Sequence, residues 1–331
     1  MSWETFEFSS SPKWDSRFED KDSLRHFDMV SVTDEEYQEL IEQEAQKDTE
    51  TAHRINQQSA AWQRLDPVLV RRAIEVLRPY VLPERMERIQ KVLNQRTKHT
   101  RFLFENPVNP SNVWACLRTM DSFGIQYVDV IIQSGAYKGK AALSQKRGMR
   151  TAMGSAQWLT LSNYGSTTEA LRVLKQDLNC RIYASDVNAN SKDIRDIDWS
   201  AGNLDGSIRS GGDGMQPDDV DDRPICIVMG NEQSGISDEL REHADATFTL
   251  PMTGFAESFN LSVATAITCA HLSAASSKTQ GKGPLRPGDL SPAELDCFLL
   301  KGLYNSVAKR KVAHTLLKRE GVDLPEDIRL L

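Results

Sequence analysis

The chain has 331 residues, 39% of them hydrophobic and 26% charged, with a formal net charge of −7. No apolar run approaches the roughly 18 residues that a membrane-spanning helix needs, which argues against a membrane protein. The acidic start Met1-Ser-Trp-Glu-Thr-Phe-Glu has no apolar signal core and is too acid-rich for a transit peptide. The expected location is therefore cytoplasmic, the alternative being an organelle reached by a cleaved transit peptide. Five scattered cysteines without a C-x-x-C pair point to reduced, core-filling thiols and to no metal site.

The charge is unevenly spread. Residues 1–60 hold 6 Lys/Arg against 15 Asp/Glu, a net of −9. Residues 64–101 hold 10 against 4, a net of +6. A local basic stripe of this kind can bind phosphate whatever the total charge. Residues 1–63 read as an acidic N-terminal extension, irregular up to about residue 31. The capping box Thr33-Asp-Glu-Glu36 then opens a short helix with Tyr37, Leu40 and Ile41 on one side.

Pro67 to Leu77 reads as a helix with Val68, Leu69, Ile74 and Leu77 inward and Arg71 and Arg72 outward. Pro79 and Pro83 end it and start the next, Glu84 to Gln95, with Met86, Ile89, Val92 and Leu93 on its apolar face. Arg85, Arg88 and Arg96 lie elsewhere on that helix or at its end. The spacing makes residues 64–100 a basic helical segment that presents either a solvated face or a contact for a polyanion.

From residue 101 the texture changes. Phe102–Phe104, Tyr127–Ile132, Cys180–Ala184, Ile225–Met229 and Ala246–Leu250 are strand candidates. Helical segments at 111–123, 167–178, 237–243 and 261–275 separate them. Apolar strands alternating with helices predict an α/β fold, a mostly parallel sheet with helices on both faces, over residues 101–276. The Gly- and Asp-rich insertion at 202–223 lacks the apolar content to order itself. A C-terminal helical extension, 277–331, opens at the capping box Ser291-Pro-Ala-Glu294 and continues into a basic run at Lys309, Arg310 and Lys311.

Three segments carry chemistry. The first is Glu105-Asn-Pro-Val-Asn-Pro-Ser-Asn112, followed by Arg118. Ser111 and Asn112 stand where a helix cap is expected, and Arg118 lies nearly two turns later on a flank of core residues. There it needs an anionic partner, either a carboxylate or an RNA phosphate. The second is the buried strand Ile225–Met229, breaking at Gly230 with Glu232 beside the break. Glycine there permits close approach of a ligand. The third is Leu250-Pro-Met-Thr-Gly-Phe-Ala-Glu-Ser258-Phe259-Asn260, leading into the small-residue helix Val263–Ala270. Ser258 and Asn260 can cap that helix, or with Phe259 they can shape a ligand-binding turn at a strand end.

In order and wording these segments resemble the three signature motifs of the SpoU branch of the SPOUT RNA 2′-O-methyltransferases. Residues 80–325 are similar in particular to its TrmH-like tRNA guanosine 2′-O-methyltransferases. Gly154-Ser-Ala-Gln-Trp158, Arg195-Asp-Ile-Asp198 and Leu299–Lys311 extend the match.

The resemblance implies a C-terminal deep trefoil knot, a homodimer with the site completed across its interface, and S-adenosylmethionine as methyl donor, leaving S-adenosylhomocysteine as product. It implies cofactor-binding positions at Ser185, Gly230, Leu250 and Phe259, and a catalytic set of Arg118, Asn112, Glu232, Ser258 and Asn260. Arg85, Arg88 and Arg96 match the arginines that grip tRNA. Since guanidinium stays protonated, Arg118 is better read as a phosphate anchor that orients the ribose than as a base. Asn112, Ser258 and Asn260 would hold loops and substrate, and Glu232 would order the cofactor loop.

The implied reaction is ribose 2′-O-methylation of the D-loop guanosine of tRNA, position eighteen. Asn109 and Ser111 stand where the family carries basic residues or histidine, and Leu272–Ser276 replaces an expected basic pair. These departures keep open ribosomal RNA or another tRNA nucleotide as substrate, and a non-catalytic RNA-binding role as a third reading.

Overall fold

The computed structural model describes residues 61–108, 110–132, 155–197, 199, 222–277, 283–307 and 310–325. The expected helix after Thr33, Asn109, the Gly154 turn residue, Asp198 and almost all of the 202–223 insertion lie outside these residues.

Seven strands form one sheet: β1 (Thr97–Glu105), β2 (Ile125–Ile131), β3 (Thr160–Tyr164), β4 (Arg181–Ser185), β5 (Lys192–Asp193), β6 (Ile225–Met229) and β7 (Ala246–Thr249). Their order across the sheet is β3-β2-β1-β6-β4-β7-β5, and every pairing between neighbours is parallel. The expected parallel α/β sheet is therefore present. Strands β3 and β5 were not expected. β3 reads Thr-Leu-Ser-Asn-Tyr, and its three central residues are only half-buried, so it lacks an apolar signature.

Helices cover both faces, as near-continuously apolar parallel strands require. On one face Phe102, Phe104, Ile225 and Ile227 pack with Leu117 and Met120 of α3 (Pro110–Ser122) and with Cys269 and Leu272 of α6 (Leu261–Ser277). The small residues of α6 let it lie close against α3, where Thr265 Oγ1 donates to Cys116 Sγ at 3.4 Å. On the other face Leu103, Ile182 and Val228 meet Leu171 of α4 (Thr167–Arg172) and Leu240 of α5 (Asp238–His243). The segment expected to stay α-helical to residue 178 widens into a π-turn over Val173–Asp177.

The helices that precede and follow the sheet share a core of their own. α1 (Pro67–Leu77) and α2 (Pro83–Leu93) pack with α7 (Pro292–Ser306) and α8 (Arg310–Arg319) through Ile74, Leu77, Ile89, Phe298, Leu303 and Leu317. Both halves of the capping box at Ser291 and Glu294 form. A Cβ on Gly302 would meet Ile89 and Trp158 at 3.1 Å, so this glycine lets α7 close onto α2. Two expected core residues are instead exposed. The buried stripe of α1 runs through Val70, Ala73, Ile74 and Leu77, which turns Val68 to solvent, and Val92 lies at the edge of the Ile89–Leu93 stripe.

Candidate functional site

The sheet order places the C-terminal ends of β1, β6, β4 and β7 side by side, the position where ligands bind in open α/β sheets. There a cleft of about 420 Å³ opens, within the roughly 300–1,000 Å³ usual for small-molecule sites. Its walls include Ser185, Gly230, Leu250 and Phe259, all four positions expected to bind cofactor, together with Glu232 and Ser258.

The wall after β6 is a closed loop. Asn231 and Gly235 exchange backbone hydrogen bonds of 2.8 and 3.0 Å. A Cβ on Gly230 would sit 2.4 Å from the Gly235 carbonyl carbon, so Gly230 is required by the loop folding back on itself. That is a close approach of backbone to backbone, in addition to any approach of a ligand. Gly235 completes the turn at φ +71°, in the left-handed region that glycine adopts freely.

Glu232 joins this loop to the first motif. Its Oε1 accepts from Asn112 Nδ2 at 2.8 Å and its Oε2 accepts from the Val108 amide at 2.7 Å. Beside it, Asn231 Nδ2 donates to the Asn106 carbonyl at 2.5 Å. The helix starts at Pro110, so Asn112 already lies inside its first turn and is not its cap. Its side chain serves the contact with Glu232 instead.

The third motif divides its two polar residues. Asn260 Oδ1 accepts from the Ser262 amide at 2.9 Å and hydroxyl at 2.7 Å, which caps α6. Ser258 is exposed on the cleft wall. Arg118 is exposed on α3 and is not part of the cleft wall. The cleft also contains Asp186 and Arg241, which the motifs did not single out. Arg241 Nε donates to Asp186 Oδ2 at 2.8 Å, across 55 residues of sequence. A polar residue directly after a strand, as at Asp186, was the only signal available for this pair.

Burial pushes the Cys116 thiol, beside the first motif, up to about 12. All five cysteines are buried and free, which fits core filling.

The three arginines expected to contact RNA have different environments. Arg88 is exposed on α2. Arg85 is half-buried, stands 5.7 Å over the Trp158 ring and donates to Ser306 Oγ at 3.2 Å. Arg96 is 1% exposed, pairs with Asp121 and donates to the Ile125 carbonyl at 3.4 Å. Its expected role is corrected: the guanidinium ties the start of β1 to the end of α3 and is withdrawn from any RNA.

The SpoU rRNA Methylase family model matches residues 99–270, more than half of the chain. The chain belongs to the SpoU methylase family. It is 28% identical over 236 residues to the tRNA (guanosine(18)-2′-O)-methyltransferase of Aquifex aeolicus, covering 71% of this chain and 96% of that protein. It is 29% identical over 245 residues to the enzyme of the same name from Escherichia coli K12, covering 73% and 90%. Among solved structures it resembles the A. aeolicus TrmH/SpoU tRNA modifying enzyme, with a TM-score of 0.53 and 26% identity over 68% of this chain and 98% of that one. The SpoU match spans all three motifs and every strand of the sheet except the first two residues of β1.

Proposed function

We propose that this SpoU-family protein transfers a methyl group from S-adenosylmethionine to a ribose 2′-oxygen of RNA, with the D-loop guanosine of tRNA, position eighteen, as its substrate. The observation that carries this reading is the convergence of Ser185, Gly230, Glu232, Leu250, Ser258 and Phe259 on one cleft at the carboxyl ends of the central strands. The names of the tRNA relatives above support the substrate.

The cleft fits a cationic donor. Among the described residues, Asp186, Glu232 and Glu257 line it against one cation, Arg241, a balance that favours a bound positive charge. The donor supplies an already activated methyl group. The remaining work is to align the accepting oxygen and to let its proton leave. Ser258 stands on the wall to hold substrate, Asn260 fixes the start of α6, and Asn112 and Glu232 fix the loops around the cleft. Arg118 anchors a phosphate and so orients the ribose, while a phosphate oxygen or water takes the proton.

Arg118 lies off the cleft of its own chain, which supports a homodimer in which a second copy completes the site. Phe255, Val187 and Val263 are exposed apolar residues near the cleft and fit burial by that copy. The family knot belongs to the same proposal; β6 inserted between β1 and β4, with β7 beyond β4, is a sheet order consistent with it. Arg88 contributes an RNA contact, and a cytoplasmic location goes with a tRNA substrate.

Titration calorimetry with S-adenosylmethionine tests the cofactor reading. Saturable binding that a bulky substitution at Leu250 abolishes is expected. Absence of heat with well-folded protein would return the cleft to a non-catalytic role.

A further inference from the structure

We propose that Glu105 is a positioning residue that holds the loop between Gly230 and Ser237 in its ligand-binding shape, an inference resting on the reading of the cleft as the cofactor site. Glu105 is the last residue of β1 and is 1% exposed. A buried carboxylate persists only when its oxygens are supplied with donors. Those donors come from two other elements. Oε1 accepts from Thr167 Oγ1 at 2.9 Å and from Ser237 Oγ at 2.6 Å, and Oε2 accepts from the Ser237 amide at 2.8 Å.

Ser237 closes the loop. It follows buried Ile236 and caps α5, its hydroxyl accepting from the Leu240 amide at 3.2 Å. Glu105 therefore grips the far end of the loop whose near end leaves β6 at Gly230. The loop returns the contact, because its Glu232 grips the first-motif turn that begins immediately after Glu105. The two carboxylates form a reciprocal clasp, each belonging to one segment and accepting from donors of the other, with Thr167 as a further donor to Glu105. Glu105 is not part of the cleft wall and acts through the loop.

Glu105→Gln keeps the side-chain volume and an acceptor for the Ser237 amide, but turns an amino group toward the two hydroxyls. The variant is expected to melt within a few degrees of the parent chain. Loss of about one charge-assisted hydrogen bond should raise the dissociation constant for S-adenosylmethionine about tenfold. The KM for RNA and kcat at saturating cofactor should not change. Without any ligand, amide hydrogen exchange across Asn231–Ser237 should quicken while exchange in β1 and β6 does not.

A purely structural role would lower the melting temperature and leave cofactor affinity unmoved. Either that result or unaltered exchange in the loop overturns the proposal. Should the parent chain bind no S-adenosylmethionine, the cofactor reading fails, and the exchange measurement still decides whether Glu105 holds the loop. Ser237→Ala, which removes the hydroxyl's hydrogen bond to Glu105 and leaves that of the Ser237 amide, should reproduce the exchange pattern in weaker form if Glu105→Gln folds poorly.

Discussion

Asn112 and Glu232, 120 residues apart in sequence, meet through a 2.8 Å hydrogen bond that joins the first motif to the second. With the Val108 amide on the other oxygen of Glu232, this contact fixes the spacing between two strand ends and so the width of the cleft. The two residues thus share a structural task beside any direct contact with substrate.

Glu232→Ala leaves the part-buried Asn112 amide group and the exposed Val108 amide without their acceptor, a loss of about 1 kcal/mol. Methyl transfer should fall at least tenfold. Because the residues touch, Asn112→Ala should cost less in the Glu232→Ala background than alone, with a coupling of about 1 kcal/mol in a double-mutant cycle read by urea unfolding. Additive losses would mean that the contact does not form in solution.

Arg118 is exposed and is not part of the cleft wall, so Arg118→Ala should leave the melting temperature and S-adenosylmethionine affinity unchanged. Turnover should fall by two orders of magnitude or more, as expected for a group that orients the reacting oxygen. Retention of kcat would remove Arg118 from the catalytic set.

Arg96 and Arg88 should separate cleanly. Removing the buried Arg96 guanidinium strands Asp121 and opens a void, a cost of about 3 kcal/mol in stability. Arg88→Ala should leave stability intact, weaken RNA binding across sequences, and lower the slope of log affinity against log salt by about 1. A destabilised Arg88 variant, or an Arg96 variant defective only in RNA binding, would reverse these assignments.

Acid should unfold the chain partly through His99. Burial, and next the charge of Arg286, lower its pKa from 6.5 to about 4. As pH falls the unfolded chain takes up the proton first, so the stability present above pH 6.5 is lost through the window from 6.5 to 4. The expected loss between pH 7 and pH 5 is about 2 kcal/mol. Glu294 behaves in the same sense at lower pH. Burial opposes its ionisation, but hydrogen bonds from Tyr127 and Ser291 outweigh that and hold it at about 2. Its contribution is present above 4.5 and lost toward 2. His99→Gln should flatten the upper window in urea titrations, and an unchanged slope would assign the loss to other groups.

Much of the architecture was legible because it depends on local patterns. The apolar strands β1, β2, β4, β6 and β7, the Ser291 capping box and the order of the three motifs are each contiguous in sequence. The parts that were not legible depend on distant partners. Arg96 looked like surface because it sits in a basic run, and its partner Asp121 lies 25 residues away on α3. Glu105 looked like the edge of a motif, and only the arrival of Thr167 and of Ser237, at the end of the loop after the neighbouring strand β6, gives it a task. β3 was missed because its middle is half-buried and polar. Asn112 stood at a plausible cap, yet the helix begins two residues earlier.

The central claim is that the cleft serves ribose methylation of tRNA. The most direct measurement incubates the protein with methyl-labelled S-adenosylmethionine and unmodified tRNA and maps the labelled nucleotide. A 2′-O-methyl group on the D-loop guanosine, lost in Arg118→Ala, is the predicted result. Label on ribosomal RNA alone, or none on any RNA from protein that binds the cofactor, would contradict it.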